Sequence, residues 1–330
     1  MIRTEAKLTE PVNPNAQQEV RKLLRYLGEV SGNAIITGQH TQTMEQAELK
    51  YIEEATGKLP ALCGFELLAY SPNINYPTCN EACLKEIEEN RGTLTKVWDW
   101  AKKGGLITMC WHWFSPMGGK DKAFYAENTD FDAARAVMEG TPEYRALLSD
   151  MDQMADYLKP FCEKHIPILW RPFHEGDGDW FWWGAKGPET VKQLYRIMFE
   201  RYTKLHRLDN LIWVWNAPSA ACYPGDDVCD IISRDMYPPA HQHDDRLEEY
   251  EELVKITDAK KICAIGEIGP IPSVARLSES RAEWAYFMTW SNDFGRSERF
   301  TARDELCSAY RNPYAVTLDK LPVLYRYAGK

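Results

Sequence analysis

The chain has 330 residues, 44% of them apolar and 27% charged, ordinary proportions for a globular protein that buries a sizeable core. Its formal charge of −10, with acids and bases interspersed, lacks the basic footprint that nucleic acid or an anionic membrane requires. No apolar run reaches the length of about eighteen residues that a membrane span needs.

The first fifteen residues, MIRTEAKLTEPVNPN, contain no apolar core of a signal peptide and read as the start of a mature domain behind an added methionine. Residues 15–30 place Val20, Leu23, Leu24, Leu27 and Val30 on one face, which predicts an added helix. Residues 1–32 are therefore expected to form an N-terminal extension, and 33–330 one catalytic domain. The strand candidates follow: AIITGQH (34–40), PALCGFELL (60–68), LITMCWHW (106–113) and IPILWRPFHE (166–175). Next come NLIWVWNA (210–217), DIISRDMYP (230–238), KKICAIGEIG (260–269) and EWAYFMTWSN (283–292), eight runs in all. Most begin with several consecutive apolar residues, as strands buried on both faces do.

Helical spacing separates many of these runs. Leu94, Val97, Trp98 and Ala101 share a face, as do Tyr144, Leu147, Leu148, Met151, Met154, Ala155, Leu158 and Phe161. A third set is Val191, Leu194, Tyr195, Met198, Tyr202 and Leu205, with Pro188 near the helix start. The interval between the fifth and sixth strands is too short for a full helix. Alternating strand and helix implies an α/β fold, and eight units favour a single-domain (β/α)8 TIM barrel. No GxGxxG run supports a doubly wound sheet.

Active sites of such barrels sit at the C-terminal ends of the strands. There the sequence places Gln39 and His40, then Trp111, His112 and Trp113, then Arg171, His174 and Glu175. Asn216, Asp235, Tyr237, Glu267 and Trp290 end the later strands. Two carboxyls, Glu175 and Glu267, fall on opposed strands, the arrangement that glycoside hydrolysis needs. One of them attacks the anomeric carbon while the other first donates and later accepts a proton. The donor needs a raised pKa and the nucleophile must stay ionised, with Arg171 as a fixed positive charge beneath the nucleophile. The aromatic run WRPFHEGDGDWFWWG suits the flat faces of sugar rings, with packing beneath the loop as the competing reading for Trp182 and Trp183. Trp113, Trp183 and Asn216 join the candidate substrate contacts. The segment 114–143 is long enough to line a cleft, with Phe114, Phe124 and Tyr125 as possible contacts.

WRPFHEGDGDWFWWG, GEIG at 266–269, WHW at 111–113 and ITGQH at 36–40 resemble glycoside hydrolase family 26, from about residue 33 to the C-terminus. The resemblance implies a retaining endo-β-1,4-mannanase acting on mannan, galactomannan or glucomannan, with Glu175 as acid/base and Glu267 as nucleophile. It also implies that His174 contacts and helps hold the nucleophile, that Tyr237 hydrogen-bonds it, and that His112, Trp180 and Trp290 contact sugar. Ser291 departs from family members that carry arginine there. No cofactor or metal is expected, and a monomer acting on a β-linked polysaccharide is.

Three rivals stand beside this reading. One is a β-1,3-1,4-glucanase or β-1,3-xylanase on the same fold. Another is a non-catalytic carbohydrate-binding barrel. The third is a metal-dependent hydrolase using His40, His112, His241 and His243. An enzyme that degrades polysaccharide should be secreted or held at the cell surface. The nine cysteines, an odd number without framework spacing, mildly oppose that location; Cys79 and Cys83 alone suit a local clip.

Overall fold

The computed structural model describes residues 7–42 and 44–327. Ten strands form one parallel sheet: β1 Ile35–Ile36, β2 Gly38–Thr41, β3 Leu62–Glu66, β4 Leu106–Cys110, β5 Ile168–Arg171, β6 Leu211–Asn216, β7 Ile231–Met236, β8 Ile262–Ile268, β9 Trp284–Thr289 and β10 Ala315–Val316. Neighbours run in order from β2 to β8, and β9 closes the ring by pairing with β8 on one side and with β1 and β2 on the other. The architecture is a (β/α)8 barrel whose first stave is split at Thr37. The Thr37 N–H and hydroxyl both turn outward to the carbonyl of Val316 in β10, which interrupts the pairing between β1 and β2.

The strands are buried nearly throughout, as their apolar runs predict; every residue of β3, β4, β6, β8 and β9 is buried. The predicted helices appear as Thr93–Lys102, Pro142–Glu163 and Pro188–Glu200. Between β6 and β7 only the 3-10 turn Ala220–Cys222 forms, in agreement with the short interval. The crossover from β8 to β9 is reduced as well, to Val274–Leu277.

Helix α1, Gln18–Val30, buries the predicted five side chains, each contributing about 1.5–3 kcal/mol. The segment before it is tied beneath the barrel: Leu8 N–H donates to the Lys260 carbonyl, and Val12 N–H to the Asp230 carboxylate at 2.8 Å. The described part of the extension thus closes the end of the barrel opposite the strands' C-termini. Residues 1–6 of that segment, and 43 and 328–330 of the rest, lie outside the described residues. No helix among the described residues is long and apolar enough to cross a membrane.

Several strands stop earlier than their apolar runs. β4 ends at Cys110, so His112 and Trp113 stand beyond it, and β5 ends at Arg171, so His174 and Glu175 lie in the following turns. Phe173 and Glu175 both take left-handed backbone there, at φ 52 and 51. That kink aims the Glu175 side chain back over the barrel mouth. Phe114 and Phe124 are buried at 0% and 2% exposure, so only Tyr125 of the three proposed loop aromatics keeps a partly open face.

Candidate active site

Three carboxyls converge at the barrel mouth. One oxygen each from Glu175, Asp235 and Glu267 lies within 4.8 Å of the others. Beneath them Arg171, 3% exposed, bridges two strands: its Nη1 donates to Asp235 at 2.9 Å and its Nη2 to Glu267. The Tyr237 hydroxyl donates to the other oxygen of Glu267. The glycine of the GEIG run is required here. A Cβ on Gly266 would come within 2.5 Å of both Asn216 Nδ2 and Asp235 Oδ1.

Asn216 and Asp235 connect the acid side to this cluster. Asn216 is fully buried, its Nδ2 donating to Asp235 at 2.7 Å and to Ser233 at 3.0 Å, while its Oδ1 accepts the Glu175 N–H at 2.8 Å. It therefore holds the backbone of Glu175 and has no face for a ligand, contrary to its expected role as a substrate contact. Trp180, 47% exposed, donates its indole N–H to Glu175 Oε2 at 2.8 Å.

The proton states differ. Burial, reinforced by Asp235, pushes Glu175 up to about 7, against the pull of Trp180 and Arg171. Burial also raises Asp235 to about 7, with Arg171 opposing. Glu267 is raised by burial, drawn back by Arg171, and raised again by Glu175. Two donors hold the oxygens of Glu267 and one holds those of Glu175, so the negative charge shared by these two settles on Glu267.

The histidines form a second chain. Glu66, fully buried at the end of β3, accepts the His112 backbone N–H at 2.8 Å and its Nδ1–H at 2.7 Å. Although burial opposes each charge, the pairing lowers Glu66 and raises His112. His112 Nε2 lies 3.1 Å from Nε2 of His174, whose burial keeps its pKa well below the usual value. Among the described residues His174 makes no hydrogen bond to Glu267; it braces His112 instead, which corrects its expected contact with the nucleophile.

The aromatic run divides sharply. Trp180 is exposed, but Phe181, Trp182 and Trp183 are at most 4% exposed. Trp183 donates its N–H to the His174 carbonyl at 2.9 Å, and Trp182 to the Trp113 carbonyl at 2.7 Å. Trp113 is buried too, stacked on Trp111 at 4.1 Å with its N–H on Asp150 at 2.8 Å. Neither Trp113 nor Trp183 presents a face to a ligand, so both expected contacts are corrected: they support the turns that carry His112 and Glu175. Trp290 is half-buried, stacked on His40 at 4.1 Å.

A cavity of about 380 Å³ opens against His112, lined also by Trp290, Phe124, Tyr125, Gln42 and Asn292 among others. A larger one, about 590 Å³, is walled by Glu19, Lys22, Glu163, Lys164, His165 and Arg326 and touches none of these groups. The four histidines of the metal reading do not converge. His40 forms a buried cluster with Glu66 and Cys110, whereas His243 donates its Nδ1–H to the Ile271 carbonyl at 2.7 Å, with its ring 6.4 Å from that of His241.

Glu66 completes the site without standing among the candidates, and Asp235 does so from a strand end to which no role was assigned. A lone acid inside the apolar run PALCGFELL was the available signal for Glu66; for Asp235 it was the place at a strand end, two residues before Tyr237.

The model of Glycosyl hydrolase family 26 matches residues 12–320. A mannan endo-1,4-beta-mannosidase of Thermothelomyces thermophilus is 35% identical over 94% of this chain and 62% of its own length. Mannan endo-1,4-beta-mannosidase B of a Piromyces species is 32% identical over 94% of the chain and 53% of its length. The chain thus spans little more than half of these curated relatives. The crystal structure of the Podospora anserina GH26-CBM35 β-(1,4)-mannanase superposes with a TM-score of 0.86 at 36% identity, over 96% of this chain and 69% of that one. A β-mannanase from a symbiotic protist of the termite Reticulitermes speratus, complexed with gluco-manno-oligosaccharide, also gives 0.86, at 30% identity over 96% and 98% of the two chains. With its barrel, its paired glutamates and this match over most of its length, the chain belongs to glycosyl hydrolase family 26.

Proposed function

We propose that the chain is a retaining endo-β-1,4-mannanase that cleaves mannan, galactomannan or glucomannan by double displacement at Glu175 and Glu267. The observation that carries this reading is the spacing of the two carboxyls. One oxygen of each lies within 4.8 Å of the other, nearer to the spacing of about 5–5.5 Å used by retaining enzymes than to the roughly 6.5–9.5 Å of inverting ones. The activity named for the relatives of Thermothelomyces and Piromyces supports the linkage.

In the first step the Glu267 carboxylate attacks the anomeric carbon while Glu175 gives its proton to the departing glycosidic oxygen. Arg171 and Tyr237 orient the attacking oxygen and hold it ionised. In the second step Glu175, now a carboxylate, takes a proton from water, which attacks the anomeric carbon and releases Glu267. Asn216 keeps the Glu175 backbone in place throughout, and Trp180 steadies its oxygen.

The test is reducing-sugar release on galactomannan, mixed-linkage β-glucan and β-1,3-xylan, with proton NMR of the first product. Release on galactomannan with a β-configured new end supports the proposal. Activity on another polymer alone overturns the substrate, and an α-configured end overturns the mechanism. The same reading makes the protein secreted or cell-surface, because polysaccharides do not enter cells, which fractionation of the source organism tests; the monomer we propose beside it is tested by sedimentation.

A further inference from the structure

Asn292 adopts φ 59 and ψ −133, a backbone region that residues with a Cβ avoid and glycine tolerates. The surrounding structure is built to hold it there. Its N–H donates to Oε1 of Glu48 at 2.9 Å, and Glu48 is fully buried. The preceding residues are pinned by Gln39, whose Nε2 donates to the carbonyls of Thr289 at 3.2 Å and Trp290 at 2.9 Å. Ser291 is itself fully buried, so the first polar side chain that reaches the cavity after Trp290 is that of Asn292.

In the cavity the Asn292 side chain meets Gln42, with Nδ2 of Asn292 3.3 Å from Oε1 of Gln42. Among the described residues Oδ1 of Asn292 and Nε2 of Gln42 have no hydrogen-bond partner. One acceptor and one donor are left side by side, the complement of a hydroxyl group. Trp290, His112 and Tyr125 supply flat walls around them. The charges at the cavity's outer edge include Lys122 and Glu86, which pair with each other and leave little net field. Such a lining selects a neutral polyhydroxylated ring over an ionic ligand.

We infer that Asn292, with Gln42, is a specificity-determining residue that reads a hydroxyl of the sugar lying one unit beyond the ring on Trp290. This rests on the proposed glycosidase activity. Glu175, with Trp180 attached, stands on the leaving-group side, so the lobe beyond Trp290 receives the non-reducing part of the chain. Strain at Asn292 is the cost of bringing an amide to that spot.

The test compares kcat/KM of the wild type and Asn292→Gly on an aryl β-mannoside and an aryl β-mannobioside. Glycine suits this backbone, so the variant should keep its Tm or gain slightly. The bioside should lose about 5–10-fold, the worth of one hydrogen bond, and the monoside should be unchanged. Equal loss on both, or no loss on the bioside, overturns the inference. A wild type that ignores both mannosides but cleaves the glucose counterparts overturns the substrate reading instead. The same ratio measured on that pair then decides the role of Asn292.

Discussion

Glu267 stands inside β8 with a guanidinium on one oxygen and a phenol on the other, whereas Glu175 stands four residues past β5 on a left-handed turn with a single indole N–H. Both carboxyls are raised by burial. The difference lies in what stands against that burial. Of these two, the carboxyl that receives the cation's hydrogen bond is the better placed to hold the charge, and the one held by a neutral donor to hold the proton. Two identical side chains at one rim thereby acquire opposite tasks, and their placement follows: the nucleophile on a rigid strand, the proton carrier on a turn.

The comparison breaks most completely if the charged member is removed. Glu267→Ala should lower kcat on the order of 10⁴–10⁶-fold while polysaccharide binding persists, as read by steady-state rates and affinity electrophoresis. Appreciable turnover in that variant contradicts the assignment.

Arg171→Met removes the charge that distinguishes the two sites. It leaves Glu267 and Asp235 buried without their cation, which should cost about 3–5 kcal/mol in urea unfolding. The acidic limb of kcat/KM should also move to higher pH, because Glu267 then holds its proton longer. Tyr237→Phe removes the second donor alone, and a bond to a charged acceptor predicts a loss of about 10–100-fold in kcat/KM with little change in stability.

On the other side, Trp180→Phe keeps the ring and deletes the N–H that favours ionised Glu175. The alkaline limb of activity, expected near pH 7 because Glu175 must be protonated to donate, should rise by roughly half to one unit. The sign for stability is the same. A folded pKa above the unfolded one stabilises below the ordinary carboxyl value and is lost as pH rises through about 7. Thr141→Ala, far from both glutamates, should cost about 1 kcal/mol through loss of the cap to Tyr144 N–H, with kcat unchanged.

Much of this arrangement was legible before the structure. Apolar runs with helical intervals specify the barrel, because strands covered on both faces cannot tolerate alternation. Polar residues at the ends of those runs then point to Glu175, Glu267 and Arg171. The runs do not specify where pairing stops. Apolar sequence continues through Cys110 to Trp113 and from Arg171 to Phe173, and only the left-handed turn at Phe173 and Glu175 shows that β5 has ended. Nor does composition tell a tryptophan that stacks on sugar from one that supports a loop. Trp180 and Trp183 lie three residues apart in one run, and their tertiary neighbours put one in solvent and the other in the core. Glu66 and Glu48 were missed, and Asp235 was left without a role, for a related reason: each is a buried acid whose partner comes from a distant element.

The most direct test of the central claim is a carbon NMR titration of the glutamate carboxyls, assigned with Glu175→Gln and Glu267→Gln. The resonance absent from Glu175→Gln should titrate near pH 7, and the one absent from Glu267→Gln should ionise first, because Arg171 and Tyr237 hold its oxygens. The reverse order would contradict the account.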